Sequence, residues 1–303
     1  MKKINYIIPL LLFLLTMLSC RKDVKIKPDS SYESQLFIES ILFPGEVPKV
    51  YLSRSQPFFN EEVTPQEMFA RGAEVFLSNG AQEEKLQPDS TFDKFRCRWV
   101  PYYAGTVPAE YGKTYQLTVT YQGETYTATT TIDQARVNLD EVEYTPEFFD
   151  VYGGHDGVIL RFKDAPGEKN FYRFQMDRFL DTSRHHAHIL EVLVNDCTNG
   201  EKFWITDLGR TIFRDENNDG QPMELYAEVS FEYRRGDTAY IYLQSLDETA
   251  AAFYEDIDNQ LQSILNPFVE PVFLKSAIEG TIGVFGSAVR SDTVVFVYPQ
   301  DNP

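Results

Sequence analysis

Asp215-Glu216-Asn217-Asn218-Asp219-Gly220 sets three oxygen-bearing side chains, Asp215, Asn217 and Asp219, at alternate positions and closes on a glycine. This is the first half of the D-x-[DN]-x-[DN]-G calcium loop, whose alternating oxygens wrap the ion while glycine permits the sharp turn. The second half departs from the pattern. Its twelfth position, where a bidentate glutamate belongs, is Tyr226, its eighth is Pro222, and no helix is expected on either side. Calcium would then need a ligand brought from elsewhere, with Glu224 and Glu228 close in sequence. The same residue types also build a polar β-turn without any ion, because Asn, Asp and Gly adopt turn conformations readily. A turn is the reading taken, with calcium as the alternative; no other cofactor is implied.

His185, His186 and His188 are three of the four histidines. On a strand His186 and His188 would share a face and start a zinc or copper site. No third ligand is identifiable, and Asp181-Thr182-Ser183-Arg184 indicates a hydrated loop. His155, in Tyr152-Gly153-Gly154-His155-Asp156-Gly157, reads as part of a turn. The chain has no G-x-S-x-G elbow, no H-E-x-x-H and no phosphate-cradling glycine loop. With 46 acidic residues, pairs of carboxylates occur throughout and none points to glycosidase chemistry. The expectation is a protein with no catalytic residues.

The address is clearer. Lys2 and Lys3 precede the apolar run Ile4 to Leu18, the pattern of a secretory signal peptide over residues 1–19. Met17-Leu18-Ser19-Cys20 resembles a bacterial lipobox, with Met a looser choice at its first position. Cys20 is therefore the expected lipidation site, and its acyl chains would anchor the protein in membrane lipid. Residues 20–33, polar and carrying Pro28, read as the lipidated N-terminus and a tether. Lys22-Asp23 looks like part of a surface-export signal, but Val24 and Lys25 replace its further acids, so the membrane face stays open. Removing residues 1–19 takes away two lysines and no acid, so the formal charge moves from −18 to −20. So acidic a chain excludes nucleic-acid binding through a general basic surface. Cys97 and Cys197 remain. They fall in different expected domains, and Cys97 aligns with Phe95 and Trp99 on the apolar side of an expected strand. Two buried free thiols are expected, although an exported chain could pair them.

Alternation gives the elements that must hold these residues. Strands are expected at 34–43, 49–54, 72–79 and 95–102, with a short helical insertion at 64–70. The clearest pair is 113–121 with 124–132. There Tyr115, Leu117, Val119 and Tyr121 alternate with polar residues, and Gln122-Gly123 makes a two-residue hairpin. Gly112-Lys113-Thr114-Tyr115 looks like the tyrosine corner of immunoglobulin-like sandwiches. An Ig-like β-sandwich is expected at 34–134, with a junction at 133–138. Beyond it, strands are expected near 158–162, 172–176, 189–194, 201–206, 224–233, 239–246 and 293–298. The 135–303 domain thus reads as β-sandwich-like with one packed helix near 246–265. That helix has Phe253, Tyr254, Ile257, Leu261, Ile264 and Leu265 on one face and an S-x-x-E capping box at Ser245 to Glu248. The fold class is all-β, mainly, with two tandem Ig-like or fibronectin-III-like sandwiches.

Three stretches then carry a resemblance. Asn170-Phe171-Tyr172-Arg173-Phe174, Phe213 to Gln221, and above all Asn266-Pro267-Phe268-Val269-Glu270-Pro271 with Ile278-Glu279-Gly280-Thr281-Ile282-Gly283-Val284-Phe285-Gly286 are similar to a family of Bacteroidota lipoproteins, DUF4249, whose domain is of unknown function. Gly72-Ala73-Glu74-Val75 and Tyr115 to Val119 also match, and Thr281 stands where a further glycine is usual. The resemblance implies an outer-membrane lipoprotein that accompanies a TonB-dependent receptor; it implies no activity. The expected role is a lipid-anchored accessory or ligand-binding subunit of a TonB-dependent transporter. Binding is expected at exposed loops, Glu279, Gly280, Gly283, Phe285 and Gly286 in one and Asp215 to Gly220 in the other. The alternatives are a fimbrial or adhesive lipoprotein, and a surface hydrolase.

Overall fold

Burial alternates strictly along the first strand, β1 (Leu36–Leu42), where Leu36, Ile38, Ser40 and Leu42 point inward and Phe37, Glu39 and Ile41 point to the other face. The computed structural model describes residues 32–57, 63–150, 153–167, 169–180, 197–198, 201–209, 211–228, 236–265 and 274–299. The chain continues as β2 (Lys49–Arg54), a single helical turn α1 (Pro65–Met68), β3 (Glu74–Ser78), β4 (Glu83–Lys85), β5 (Gln87–Asp93) and β6 (Arg98–Ala104). Next come β7 (Thr114–Tyr121), β8 (Glu124–Thr131), β9 (Leu139–Asp150), β10 (Gly153–Lys163), β11 (Phe171–Leu180) and β12 (Phe203–Leu208). The last elements are β13 (Phe213–Arg214), β14 (Pro222–Glu228), β15 (Thr238–Leu246), α2 (Glu248–Leu265), β16 (Ile282–Arg290) and β17 (Val294–Val297). All of them belong to one compact unit, Ser34–Gln56 with Glu61–Pro303.

The mainly-β class with one packed helix holds. A ten-stranded sheet in the order β12-β11-β15-β16-β1-β2-β6-β5, with β13 and β17 alongside, runs across the boundary expected near residue 134. One of its faces is covered twice. The four-stranded sheet β4-β3-β7-β8 packs on it through Ile38, Leu52, Val75, Leu117 and Phe285. The three-stranded sheet β14-β10-β9 packs through Leu160, Phe162, Phe174, Leu225 and Leu243. Two sandwiches thus share a layer. On the opposite face α2 covers Phe171, Leu246, Val284 and Ala288.

Several local expectations hold. Gln122 and Gly123 both take positive φ, as a two-residue hairpin with the twist of its strands requires. The Tyr115 hydroxyl accepts the Glu110 N–H at 2.8 Å, the bond of a tyrosine corner.

Others need correction. Gly283, Phe285 and Gly286 are not in an exposed loop. They lie in β16, which pairs in parallel with β1, Ile38 opposite Gly283. Phe285 is fully buried. A Cβ on Gly283 would sit 1.9 Å from the Ile38 carbonyl oxygen, so the glycine permits a close backbone approach. Only Glu279 and Gly280 of that group stay exposed. Gly153, Gly154 and His155 belong to β10 rather than to a turn. The helix cap is Asp247, which accepts the Ala250 N–H at 2.6 Å, whereas Ser245 is buried at the end of β15. Asp247 also takes the Ser287 N–H of β16 and the Thr130 hydroxyl of β8, joining three elements at the helix start.

The two cysteines form a disulfide, Cα atoms 5.6 Å apart, and are not free thiols. Cys97 sits not on a strand face but in the β5–β6 turn at φ 49, where the Asp93 carboxylate accepts the N–H groups of Phe95 and Arg96. A turn projecting from the sheet can reach across to Cys197, which a residue inside the strand could not. His185, His186 and His188 and the strand expected at 189–194 lie outside the described residues, as do Cys20 and the signal segment. Among the described residues no helix is long and apolar enough to cross a membrane.

Non-reducing peptide mapping should recover one Cys97–Cys197 peptide, and the double serine variant should lose up to about 4 kcal/mol on unfolding. Gly283→Ala should cost about 3 kcal/mol or more in chemical denaturation, because backbone must move. Gly280→Ala, at φ +79 where a Cβ would meet only the Tyr126 ring at an ordinary 3.7 Å, should cost only about 1 kcal/mol.

Candidate functional site

The face of the ten-stranded sheet that α2 leaves uncovered is polar and aromatic. On β11 the side chains alternate. Tyr172, Phe174 and Met176 enter the core, so Arg173, Gln175 and Asp177 must share the other face. Register places Gln244, Tyr242 and Tyr240 of β15 opposite these three, and Arg290 of β16 beside Gln244. Glu39 of β1 pairs with Tyr51 of β2 on the same side.

These residues form a connected chain. Tyr254 of α2 donates to Glu39 at 2.9 Å, and the Arg173 guanidinium lies 4.2 Å from the centre of its ring. Arg173 Nε donates to Gln244 at 3.0 Å, and Gln244 donates to Gln175 Oε1 at 2.7 Å. Arg290 Nε donates to the same oxygen at 2.9 Å. Gln175 in turn donates to Asp177 at 3.0 Å, and Thr206 of β12 donates to Asp177 at 2.7 Å. Arg290 also pairs with Glu46 and covers the ring of Phe43 at 3.8 Å. Arg173, Gln175 and Gln244 are 5%, 3% and 1% exposed. Polar groups this buried need partners, and a satisfied network fixes each side chain in one geometry.

Above the network lies a hollow of about 520 Å³ bordered by Glu39, Tyr51, Arg173, Gln175, Tyr254 and Arg290. It shares Tyr51, Val100 and Thr206 with a second hollow of about 830 Å³ toward the disulfide. The two make one trough whose rims, β6 and β12, come from opposite ends of the sheet. At its far end Lys94, Arg96, Arg98 and Lys202 stand against a single acid, Asp93. Trp204 is half exposed there, 3.9 Å from Phe179 and stacked on Tyr240 at 5.4 Å. A local cationic end on a chain of net −18 would draw in an anionic ligand.

Burial first, and the Glu39 charge second, hold the Tyr254 phenol above its usual range. Burial likewise raises Tyr51, with Tyr102 and Glu39 adding to it, and lowers Arg173. The phenols therefore stay protonated at neutral pH, and Tyr254 is a donor fixed on Glu39. The arrangement suits holding a ligand by stacking and hydrogen bonds.

The sequence-picked residues lie elsewhere. Asp215 and Asp219 occupy the β13–β14 turn, joined there by Asp164, which follows β10. Asn217 takes φ 67 in that turn. Glu224 is turned to Arg161 and Tyr226, so it is not the missing ligand. Glu279 and Gly280 form a turn near Tyr126, away from the trough. None of the trough residues was picked out as a site from sequence. Their signal was the polar alternation Arg173, Gln175, Asp177, which reads as a solvated face until the fold shows what covers it.

A sequence model of the family described as a domain of unknown function, DUF4249, matches residues 21–293, and the chain belongs to that family. No curated protein matches the chain.

The raised phenols predict a pH dependence. Burial first and the Asp164 hydrogen bond second also raise Tyr172. Tyr172 and Tyr254 hold their protons more tightly folded than unfolded, so their contribution is complete below the unfolded value of 10.0 and is lost as pH rises beyond it. Melting temperature should fall above about pH 10, with these two of the 18 tyrosines ionising only on unfolding, as read by ultraviolet absorbance. Titration of every tyrosine in the folded protein would contradict this.

Proposed function

We propose that this chain is a lipid-anchored binding subunit of the outer membrane that works beside a TonB-dependent transporter and performs no catalysis itself. The observation that carries the binding role is the trough, with its buried, fully connected polar floor and its cationic, aromatic far end. Such a surface is costly to build for stability alone, since apolar packing would serve as well. It suits an anionic ligand with a flat face.

The membrane address rests on the signal-like segment, on Cys20 and on the polar tether. The disulfide between Cys97 and Cys197 supports export, because such bonds persist outside the reducing cytosol. Acyl chains on Cys20 would hold the folded body within a tether length of a membrane partner. A weak interface then acts at high effective concentration.

Cys20→Ala should move the protein from the membrane fraction to the soluble exported fraction; unchanged partitioning would overturn the anchor. Tagged protein drawn from gently solubilised native membranes should bring a stoichiometric outer-membrane barrel with it. Recovery alone, or in ladders of itself, would overturn the transporter role and favour a free-standing binder or a fibre.

A further inference from the structure

The β13–β14 turn holds an arrangement that its backbone does not explain. Asp164, Asp215 and Asp219 each direct a carboxylate oxygen to a common point, all within 4.8 Å of one another. Asp164 and Asp215 are 2% and 7% exposed, and Asp219 is open to solvent. The Asp164 carboxylate accepts the Tyr172 hydroxyl and the Gly220 N–H, and Asp219 accepts the Gly167 N–H at 2.7 Å. The Asp215 carboxylate accepts no hydrogen bond among the described residues. No lysine or arginine among the described residues forms an ion pair with any of the three. Arg214, the neighbouring cation, is held by Glu255 and lies over Phe171.

Chain reversal needs none of this. The turn is closed by the Asn218 N–H on the Asp215 carbonyl at 2.7 Å and by the Gln221 N–H on the Asn218 carbonyl at 2.8 Å. Asn217 and Gly220 supply the positive φ values. Asp215, 7% exposed and with no donor on its carboxylate among the described residues, meets solvent only at the cleft and faces two more carboxylates, an arrangement that a cation would stabilise.

We propose that Asp164, Asp215 and Asp219 form a calcium site. All three ligands are hard oxygens, with no histidine or cysteine in the group, which disfavours zinc and copper. The exposed side at Asp219 opens to a cleft bordered by Gly167, Lys169 and Asn217, leaving room for the waters that complete a shell of six to eight. The missing ligand of the half-loop thus comes from Asp164, far back in the chain, and the ion would pin the end of β10 to the β13–β14 turn. This site is separate from the trough and independent of what the trough binds.

Full-length protein stripped with EDTA should melt several degrees higher when calcium is restored, and clearly less so with magnesium at equal concentration. Calorimetric titration should show one calcium per chain. Asp215→Asn should abolish the calcium response while leaving the metal-free protein at least as stable, because it removes a buried charge. Asp219→Asn, at the exposed ligand, should weaken calcium binding by tenfold or more and provides the test should the buried variant misfold. No calcium-dependent shift in the wild type, or an unchanged shift in both variants, would overturn the site. A larger response to magnesium would overturn the choice of ion.

Discussion

The contact between Ile38 and Gly283 joins the two halves of the molecule. β1 brings β2, β6 and β5 with it, while β16 brings β15, β11 and β12, and only their parallel pairing makes one sheet of the two sets. That pairing puts the Ile38 carbonyl where any side chain on residue 283 would sit. Parallel strands need a long crossover, and here nearly the entire chain lies between the partners. The core of the first sandwich accordingly includes Ile278, Phe285 and Val289 from the far end of the sequence.

The trough follows from this seam. Glu39 and Tyr51 come from one side of it, Arg173, Gln175, Gln244 and Arg290 from the other, and Tyr254 from the helix that bridges them. Asp247 fixes the start of that helix to Ser287 on β16, one residue past Gly286. A Cβ on Gly286 would meet the Ala250 side chain at 2.8 Å, so the helix is seated directly on the strand. The disulfide ties the rims at the other end, where the β5–β6 turn meets the segment before β12. Trough and fold are therefore one construction, and loosening the seam would open the floor of the trough.

Local pattern was legible where one face of an element meets solvent. The β7–β8 hairpin shows its alternation and its Gln122-Gly123 turn directly, and α2 shows its apolar face. β16 was hidden because it is buried on both faces and carries two glycines, which in isolation resemble a loop. Those glycines serve close packing, against Ile38 on one side and Ala250 on the other. The disulfide was hidden for a related reason. Cys97 stands one residue before β6, so extending the strand back through Phe95 placed it on a packed face. The carboxylate turn was half visible. Asp215 and Asp219 are close in sequence, but Asp164 joins them only once β10 and β14 pair. The trough was invisible because its residues are scattered over β1, β2, β6, β11, β12, β15, β16 and α2.

The most direct test of this account is amide hydrogen exchange followed strand by strand. If the seam unites the molecule, amides of Ile38 to Leu42 and of Val284 to Ser287 should be among the slowest and should exchange together, only on global unfolding. Two classes with distinct unfolding free energies, dividing the chain near residue 134 and separating β1 from β16, would contradict it.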